Sequence, residues 1–253
     1  MAYYYHINGN LCVDDLERAV RVVASRCESL RTCFVKDETN AAQAYQKVLP
    51  SSHMSLERKK ISSVEEVATE YKSLRMQNID MASGKLLRLV LLTLSPSSHY
   101  RLIYHHNIIM DVVSLQVFLS DFEKAYNGES LGMPPRQYPD FSVAQRRALE
   151  NGEMSKELKY WQGVFPAGEQ PPTLPLLPMA RTSSRVPMAK FDTYQVQWRL
   201  QSELAARIKS MSKTQASTPF HFYLAAFQAM LFCFTDTSDL TIGIAVAARN
   251  EGD

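Results

Sequence analysis

The sequence predicts a mixed α/β fold with antiparallel strand pairing in its first part. Segments whose apolar residues recur every three or four positions, typical of amphipathic helices, alternate with short runs of aromatic and β-branched residues, typical of strands. Two apolar runs, residues 85–94 and 100–106, are joined by the turn-forming stretch SPSS at 95–98, which predicts a hairpin. No internal repeat is visible, so a repeat architecture is not expected.

The first elements follow one another in a simple order. Aromatic and β-branched residues predict a strand at Tyr3–Ile7. Residues 14–30 carry an apolar stripe and predict a helix, for which Asp14 or Asp15 is a suitable N-cap. A second strand is expected at 31–35, RTCFV.

Three further helices are predicted before residue 166. The stretch Ser63–Glu66 has the capping-box spacing and starts a helical stripe that runs to Leu74. After the hairpin, an apolar helix face runs from Leu115 to Tyr126, and Gly128 is expected to end that helix. Residues 142–165 form another helical region, with an interruption expected near Asn151-Gly152.

The composition changes after residue 165. Six of the twelve prolines fall between Pro166 and Pro187, so this stretch is neither a helix nor an inner strand. It predicts an extended crossover between two lobes. The expected organisation is an N-terminal lobe at 1–165, a proline-rich linker at 166–189, and the beginning of a C-terminal lobe at 190–253.

The last part of the chain predicts fewer elements. A strand is expected at 191–200, a short helix at 202–213 and a buried strand at 240–248. Thr218-Pro219 is typical of a helix start, and the apolar run 220–234 that follows is shorter than the ~20 residues of a membrane span, which predicts a fully buried core helix. These elements are too few to close a second lobe, so we expect an incomplete lobe and a fragment of a longer polypeptide.

The bulk composition excludes several classes of function. The chain of 253 residues has a net charge of +2, which gives no reason to expect nucleic acid or an anionic membrane as partner. The nine glycines form no phosphate-binding pattern, and the N-terminus has no signal-peptide layout. The four cysteines form no C-x-x-C pair and lie in segments expected in the core, which favours reduced thiols in the cytoplasm.

The candidate catalytic residues lie in the stretch YHHNIIMDVVS, residues 104–114. His105 and His106 are expected at the end of a strand, where neighbouring side chains point to opposite faces, so they cannot both bind one metal ion and no metal site is predicted. A histidine at a strand end that faces a cleft can act as a general base. Asp111 can fix the following bend or pair with a cation. The alternative is a buried histidine bonded only to the backbone.

Several segments together resemble the condensation domains of nonribosomal peptide synthetases, among the chloramphenicol-acetyltransferase-like acyltransferases. The resemblance covers nearly the whole chain and is nearest to the version in fungal highly reducing polyketide synthases and their peptide-synthetase hybrids. Each match is weak by itself, and their order and spacing carry the resemblance. The matching segments are RCESLRTCF, NIDMASGKLLRLVLL, HNIIMDVVS, QYPDFSVAQRR, KYWQGVF, TPFHFYLAAFQAML and TIGIAVAARN.

The resemblance implies a two-lobed acyltransferase that binds no metal or cofactor itself. In the family, an acyl carrier protein delivers a phosphopantetheine-tethered acyl thioester, and an amine attacks it near the second histidine of H-H-x-x-x-D-G, in a channel between the lobes. The aspartate pairs with an arginine, which here implies Asp111 with Arg31. Partners would be the acyl carrier protein and other domains of a cytoplasmic megasynthase, without nucleic acid and without a membrane span.

The sequence departs from the family pattern at the central position. In an alignment without gaps, His106 takes the first histidine, Asn107 takes the catalytic second one, and Val112 replaces the glycine. Alternatively, Asn107 is an extra residue after an intact His105-His106 pair, absorbed by a bulge or a longer loop. The two alternatives differ in chemistry, since asparagine cannot take a proton near neutral pH.

Three functions are therefore open at the level of sequence. The first is a condensation domain with a degenerate motif that joins a polyketide thioester to an amine, with His106 preferred as the base. The second is an inactive condensation-like scaffold that docks carrier proteins or assists product release. The third is a stand-alone acyltransferase that uses acyl-CoA, although no basic cluster suited to the CoA phosphates is visible.

Overall fold

The computed structural model has a mixed α/β architecture, as the sequence predicts. It forms two compact units, Met1–Ser155 and Lys156–Val246. The residues that the structure describes are 1–40, 44–134, 136–166, 173–181, 183–185, 196–237 and 239–246.

The first unit is built around a four-stranded sheet. Its strand order is β1-β6-β5-β4, with β4 parallel to β5 and the other neighbours antiparallel, while β2 and β3 form a separate antiparallel pair. The strands are β1 (Ala2–Asn8), β2 (Thr32–Lys36), β3 (Ala44–Val48), β4 (Leu56–Lys60), β5 (Leu87–Ser95) and β6 (Ser98–His105).

Seven α-helices accompany the strands among the described residues. Four belong to the first unit: α1 (Val13–Arg26), α2 (Glu65–Met76), α3 (Val112–Tyr126) and α4 (Tyr138–Glu150). The second unit holds α5 (Ser155–Val164), α6 (Ser202–Thr214) and α7 (Pro219–Thr235).

The predicted hairpin is confirmed as β5 and β6. Leu87 lies opposite His105 at its open end, and Pro96-Ser97 form the turn at the other end. The strand expected at Tyr3–Ile7 is confirmed as β1, which pairs with β6 along its whole length. The strand β6 is therefore hydrogen-bonded on both edges.

The central strands are buried on both faces. One face of β5 and β6, which includes Leu89 and Ile103, packs into a core with α1 and α3. The opposite face, which includes Leu92 and Leu102, packs into a smaller core with α2. Because side chains alternate between the two faces of a strand, burial on both sides explains why β5 is an almost continuous apolar run.

Two glycines end helices where the sequence places helix ends. Gly128 follows α3 with φ +76°, and Gly152 separates α4 from α5 with φ +75°. Glycine is suited to this left-handed conformation because it has no Cβ to clash. The predicted interruption near Asn151-Gly152 is thus confirmed.

The predicted starts of the first two helices need correction. The helix α1 begins at Val13 after Cys12, without a side-chain cap, so the expected cap at Asp14 or Asp15 is wrong. The helix α1 also ends earlier than expected, at Arg26 instead of residue 30, because residues 28–31 form a separate 3₁₀ helix. The capping box is half formed, because the carboxylate of Glu66 accepts hydrogen bonds from the N–H groups of Ser62 and Ser63 while α2 begins at Glu65.

The second unit differs most from the expectation. The start at Thr218-Pro219 is confirmed, and Thr218 and His221 form a reciprocal capping box. The expected full burial of α7 is wrong, because only Leu231 is buried. In the described part of this unit, α6 is the helix that packs against α7, and one helix covers only part of its circumference. The side chains left 43–52% exposed are Phe220, Tyr223, Phe227, Met230 and Phe234.

The strands predicted on either side of these helices are not formed in the described residues. Residues 196–200 and 240–246 have no strand partner there, and Trp198 is 82% exposed. A strand needs a neighbour to satisfy its backbone groups, and alternation in the sequence cannot supply one. The rest of both predicted strands, 191–195 and 247–248, lies outside the described residues.

The predicted lobe boundaries stay a prediction. The two compact units divide after Ser155, ten residues before the expected lobe end at residue 165. Of the expected linker 166–189, the described parts contain neither helix nor strand, and residues 167–172, 182 and 186–189 lie outside the described residues.

The cysteines do not all lie in the core. Cys33 is buried and Cys27 is half-buried, but Cys12 and Cys233 are exposed, so the expectation of four core thiols is wrong. All four are free thiols in the structure.

Truncation of Leu102 tests the two-faced core. Leu102 is 0% exposed on the α2 side of β6, so Leu102→Ala removes buried methyl groups and leaves a cavity. We expect the free energy of unfolding to fall by about 2–5 kcal/mol, measured by urea denaturation. Val117→Ala, at a side chain 57% exposed on α3, is the matched control and should change it by less than about 0.5 kcal/mol. Equal losses for both variants would contradict the core described here.

Candidate active site

The two histidines lie where the central strand ends. The N–H of His105 donates to the carbonyl of Met1 at 2.9 Å, and the N–H of His106 donates to the carbonyl of Leu86 at 3.0 Å. The chain on both sides of β6 thus fixes the backbone of the pair. This position confirms the expectation that the histidines lie at the C-terminal end of a strand, since β6 ends at His105.

The His105 side chain is inside the first unit. It is 0% exposed, and its ring stacks on Tyr3, with 6.0 Å between ring centroids and 15° between ring planes. Its Nδ1 lies 3.3 Å from the carbonyl oxygen of His106, and its Nε2 has no hydrogen-bond partner among the described residues. Burial is the main cause that lowers the pKa of His105, because it disfavours the charged form of the ring.

His106 is the first residue after the strand and is half-buried. Its Nδ1 accepts a hydrogen bond from the N–H of Ile108 at 3.0 Å, and its carbonyl oxygen accepts one from the N–H of Ile109 at 3.2 Å. Burial is again the main cause that lowers its pKa. The turn 107–109 therefore folds back onto His106 through both its side chain and its backbone.

Asn107 is exposed at the beginning of this turn. The pairing of β5 with β6 has one irregularity, between Thr93 and Ser95, far from the histidine end. An additional residue after His106 would therefore be accommodated in the turn, without a bulge at the end of β6. Whether Asn107 is such an insertion or replaces the second histidine stays a prediction.

Asp111 begins the helix that follows. Its Oδ1 accepts a hydrogen bond from the N–H of Ser114 at 2.7 Å, which makes it the N-cap of α3. An N-cap of this kind satisfies a free backbone donor and places a negative charge at the positive end of the helix. Val112, in the place of the family glycine, is the first residue of α3 and is 54% exposed.

Arg31 has its own contacts in the same unit. Its guanidinium binds the carbonyl oxygen of Leu49 and a carboxylate oxygen of Glu28, the latter at 3.1 Å. No salt bridge between described residues joins Arg31 to Asp111, so the structure does not bring the expected pair together as an ion pair. Their pairing stays a prediction.

Sequence reasoning missed the backbone partners of the site. The N–H of Ile108 and the carbonyl groups of Met1 and Leu86 decide how the two histidines are held. No residue type signals these contacts, because every backbone carries the same groups and their partners depend on the turn that forms. The stacking of Tyr3 on His105 could have been predicted in part, because the sequence indicates an aromatic strand at Tyr3–Ile7.

Neither a metal cluster nor a membrane helix occurs in the part of the chain that the structure describes. There, no three histidine, cysteine, aspartate or glutamate side chains come close enough to bind a metal ion. The helices described are all too short or too polar to cross a bilayer.

Comparison with known proteins gives a consistent result. The family model for the condensation domain matches residues 1–253. The chain is 69% identical over 251 residues to the hybrid PKS-NRPS synthetase thnA of Trichoderma harzianum and 53% identical over 253 residues to the hybrid PKS-NRPS synthetase traA of Penicillium crustosum. These matches cover 99% and 100% of this chain and 6% of the length of each synthetase.

Among solved structures, the chain is similar to the condensation domain of the monacolin K polyketide synthase MokA. The TM-score is 0.77 at 25% identity, and the match covers 94% of this chain and 55% of that one. The likeness confirms the fold class expected from the resemblance, the chloramphenicol-acetyltransferase-like fold of condensation domains. The chain spans about half the length of this structural relative.

Substitution of Asp111 tests its role as the cap of α3. Asp111→Ala removes the acceptor for the Ser114 N–H, and we expect the free energy of unfolding to fall by about 0.5–2 kcal/mol. Asp111→Ser keeps a capping oxygen without the charge and should recover most of the loss in the same urea titration. If Asp111→Ser is as unstable as Asp111→Ala, the carboxylate stabilises the fold through its charge and not through the cap.

The buried ring of His105 predicts a pH dependence of stability. Its pKa in the folded state lies below the ordinary value of 6.5, so the unfolded state binds the proton more readily. Stability is therefore unaffected by this group above pH 6.5 and falls as the pH decreases below that value. Thermal unfolding between pH 7.5 and 5 should show a weaker decline for His105→Gln than for the wild type.

The control for this titration is His6→Gln, on the outer strand β1. His6 is hydrogen-bonded to Ser98 and exposed, and its replacement should leave the burial of His105 unchanged. The acidic decline of His6→Gln should follow that of the wild type. A decline in His105→Gln that is equally steep would contradict the assignment to the buried ring.

Proposed function

The chain belongs to the condensation-domain family, and from this premise we propose that it forms amide bonds in a fungal polyketide-peptide megasynthase. The donor would be a polyketide acyl group held as a thioester on the phosphopantetheine arm of an acyl carrier protein. The acceptor would be an amine. The fungal hybrid synthetases that are 69% and 53% identical to this chain support the polyketide-peptide setting.

The single observation that carries the proposal is the position of His106. It follows the end of a strand that is paired on both edges, its backbone is fixed by Leu86, and its side chain is half-buried and not enclosed. Nδ1 of His106 is bonded to the turn, whereas Nε2 is not, so Nε2 can contact a reacting group without a large rearrangement. Positioning of this kind is a main source of rate acceleration in acyl transfer.

The reaction that we propose is balanced without an external cofactor. The uncharged amine nitrogen attacks the thioester carbonyl carbon, and a C–N bond forms while the carbonyl oxygen becomes an oxyanion. Collapse of this tetrahedral intermediate breaks the C–S bond and releases the phosphopantetheine thiolate. The proton lost by the amine ends on that sulfur, so the products are an amide and a free thiol on the carrier protein.

The partners follow from the same chemistry. An acyl carrier protein and other domains of the megasynthase would deliver the donor and the acceptor. Phosphopantetheine would enter as part of the substrate and not as a group bound permanently by this chain. These partners are proposals for the whole synthetase, of which the matched region is 6% in the curated relatives.

A second candidate function is an inactive scaffold that docks carrier proteins or assists product release. One observation favours it: neither histidine offers an exposed nitrogen lone pair. Nδ1 of His106 is occupied by the N–H of Ile108, and the ring of His105 is completely buried. Under this alternative, the domain would retain its fold and its surface while the amide-forming step is lost.

Product analysis of the parent synthetase separates the two functions. We expect the wild type to form an amide from its polyketide and an amine, detected by mass spectrometry of the released product. His106→Ala should lower the rate at least about 10²-fold, because the loss of either a general base or one positioned hydrogen-bond donor typically costs this much. His6→Ala, at an exposed histidine of β1 outside the site, is the control and should stay within a few-fold of the wild type, and so should Asn107→Ala if His106 is the residue that acts.

The scaffold function predicts a different pattern. The wild type would then form no amide, and His106→Ala would change neither the product nor its rate. An amide whose rate depends on Asn107 and not on His106 would contradict the choice of His106.

A further inference from the structure

From the contact between Ile108 and His106, we infer that His106 acts on its substrate as a hydrogen-bond donor through Nε2–H, and not as the general base. The inference has a structural part, the position of a proton on the ring, and a catalytic part that rests on the proposed function. The structural part can be tested without any substrate.

The position of the proton follows from the backbone. The N–H of Ile108 lies 3.0 Å from Nδ1 of His106. A backbone amide can only donate, so Nδ1 must present its lone pair. In a neutral imidazole, one ring nitrogen is the donor and the other the acceptor, which places the proton on Nε2.

The neutral form is the relevant one. Protonation of Nδ1 would set two N–H groups against each other and break the bond from Ile108. Burial of the ring acts in the same direction, because it lowers the pKa of His106. A switch to the other neutral form would also break the bond from Ile108. For Nε2 to accept a proton, the turn would therefore have to give up this contact.

The local chain explains why the contact forms. A side-chain acceptor at one position and a backbone N–H two residues later is the arrangement by which polar side chains stabilise turns. Here His106 supplies the acceptor, Ile108 the donor, and Asn107 stands between them. Ile109 strengthens the turn by donating its N–H to the carbonyl of His106.

His105 does not replace the missing base. Its Nδ1 is 3.3 Å from the carbonyl oxygen of His106, and a proton on Nδ1 would leave the lone pair on Nε2. That nitrogen would be suitable for a base, but the residue is 0% exposed. The two histidines therefore differ at Nε2. In His105 this nitrogen carries a lone pair that is buried, and in His106 it carries the N–H that can donate to a substrate.

A donor at this place has a defined use in amide formation. The carbonyl oxygen of the thioester becomes negatively charged as the amine attacks, and a fixed N–H near that oxygen stabilises the charge. Within the described residues, Nε2 of His106 makes no hydrogen bond to the protein, so this N–H can donate to a substrate oxygen without breaking a contact of the fold. The proton of the amine would pass through water to the departing thiolate, which keeps the reaction balanced without a protein base.

The first test is nuclear magnetic resonance of the 253-residue chain labelled with ¹⁵N-histidine at neutral pH. Long-range proton–nitrogen correlations distinguish the two neutral forms of imidazole, and the His106 signals are identified by their absence in His106→Gln. We expect a protonated Nε2 and an unprotonated Nδ1. A protonated Nδ1 would overturn the inference.

Variants at Ile108 provide the matched control. Ile108→Pro removes the N–H that fixes the ring, and we expect the His106 signals to shift toward a mixture of both neutral forms. Ile108→Val keeps the N–H and should leave the signals in place. An unchanged spectrum in Ile108→Pro would show that another contact decides the tautomer.

The second test is rescue of catalysis in the parent synthetase. Glutamine carries an amide N–H that can donate but takes no proton near neutral pH. If His106 is a donor, the rate of amide formation by His106→Gln should be at least about tenfold higher than that of His106→Ala. Equal losses in both variants would overturn the catalytic part.

The two tests keep the failure modes apart. If the wild-type synthetase forms no amide, the proposed function fails together with the catalytic part of the inference. The tautomer spectrum then still decides the structural part. If the amide forms and the spectrum shows a protonated Nδ1, the proposed function stands and the donor role fails.

Discussion

The backbone pairing of β6 with both of its neighbours is the interaction on which the rest of the structure depends. Residues of β6 pair with β1 on one side and with β5 on the other, and its side chains enter both cores. A strand held on both edges ends at a defined position, and His105 is that position. Placement by main-chain hydrogen bonds tolerates changes in side chains, because every residue except proline offers the same groups.

Chemistry at the end of such a strand is decided by the turn that follows it. The two histidines are neighbours in sequence, yet one is enclosed beside Tyr3 and the other bonds to the N–H of Ile108. The same side-chain type therefore has different proton positions within one dipeptide. A backbone amide donor at the turn thus decides whether the ring of His106 presents a lone pair or an N–H at Nδ1.

The sequence was most informative where a local pattern determines the structure. The hairpin of β5 and β6 and the helix ends at Gly128 and Gly152 follow from turn chemistry and from glycine geometry, and all three are confirmed. The start of α1 and the exposure of α7 depend on neighbours that a periodic pattern does not identify. The site shows the same division, since the strand-end position of the histidines was predictable, whereas the donor from Ile108 depends on how a turn folds.

The exposed stripe on α7 affects how the chain behaves as a material. Its five large apolar side chains recur at alternating intervals of three and four residues and form one continuous apolar stripe along the helix. Large exposed apolar patches of this kind are sites of association with other apolar surfaces. We therefore expect this stripe to promote association of the chain with itself in a concentrated solution, through a surface that lies outside the turn around the histidines.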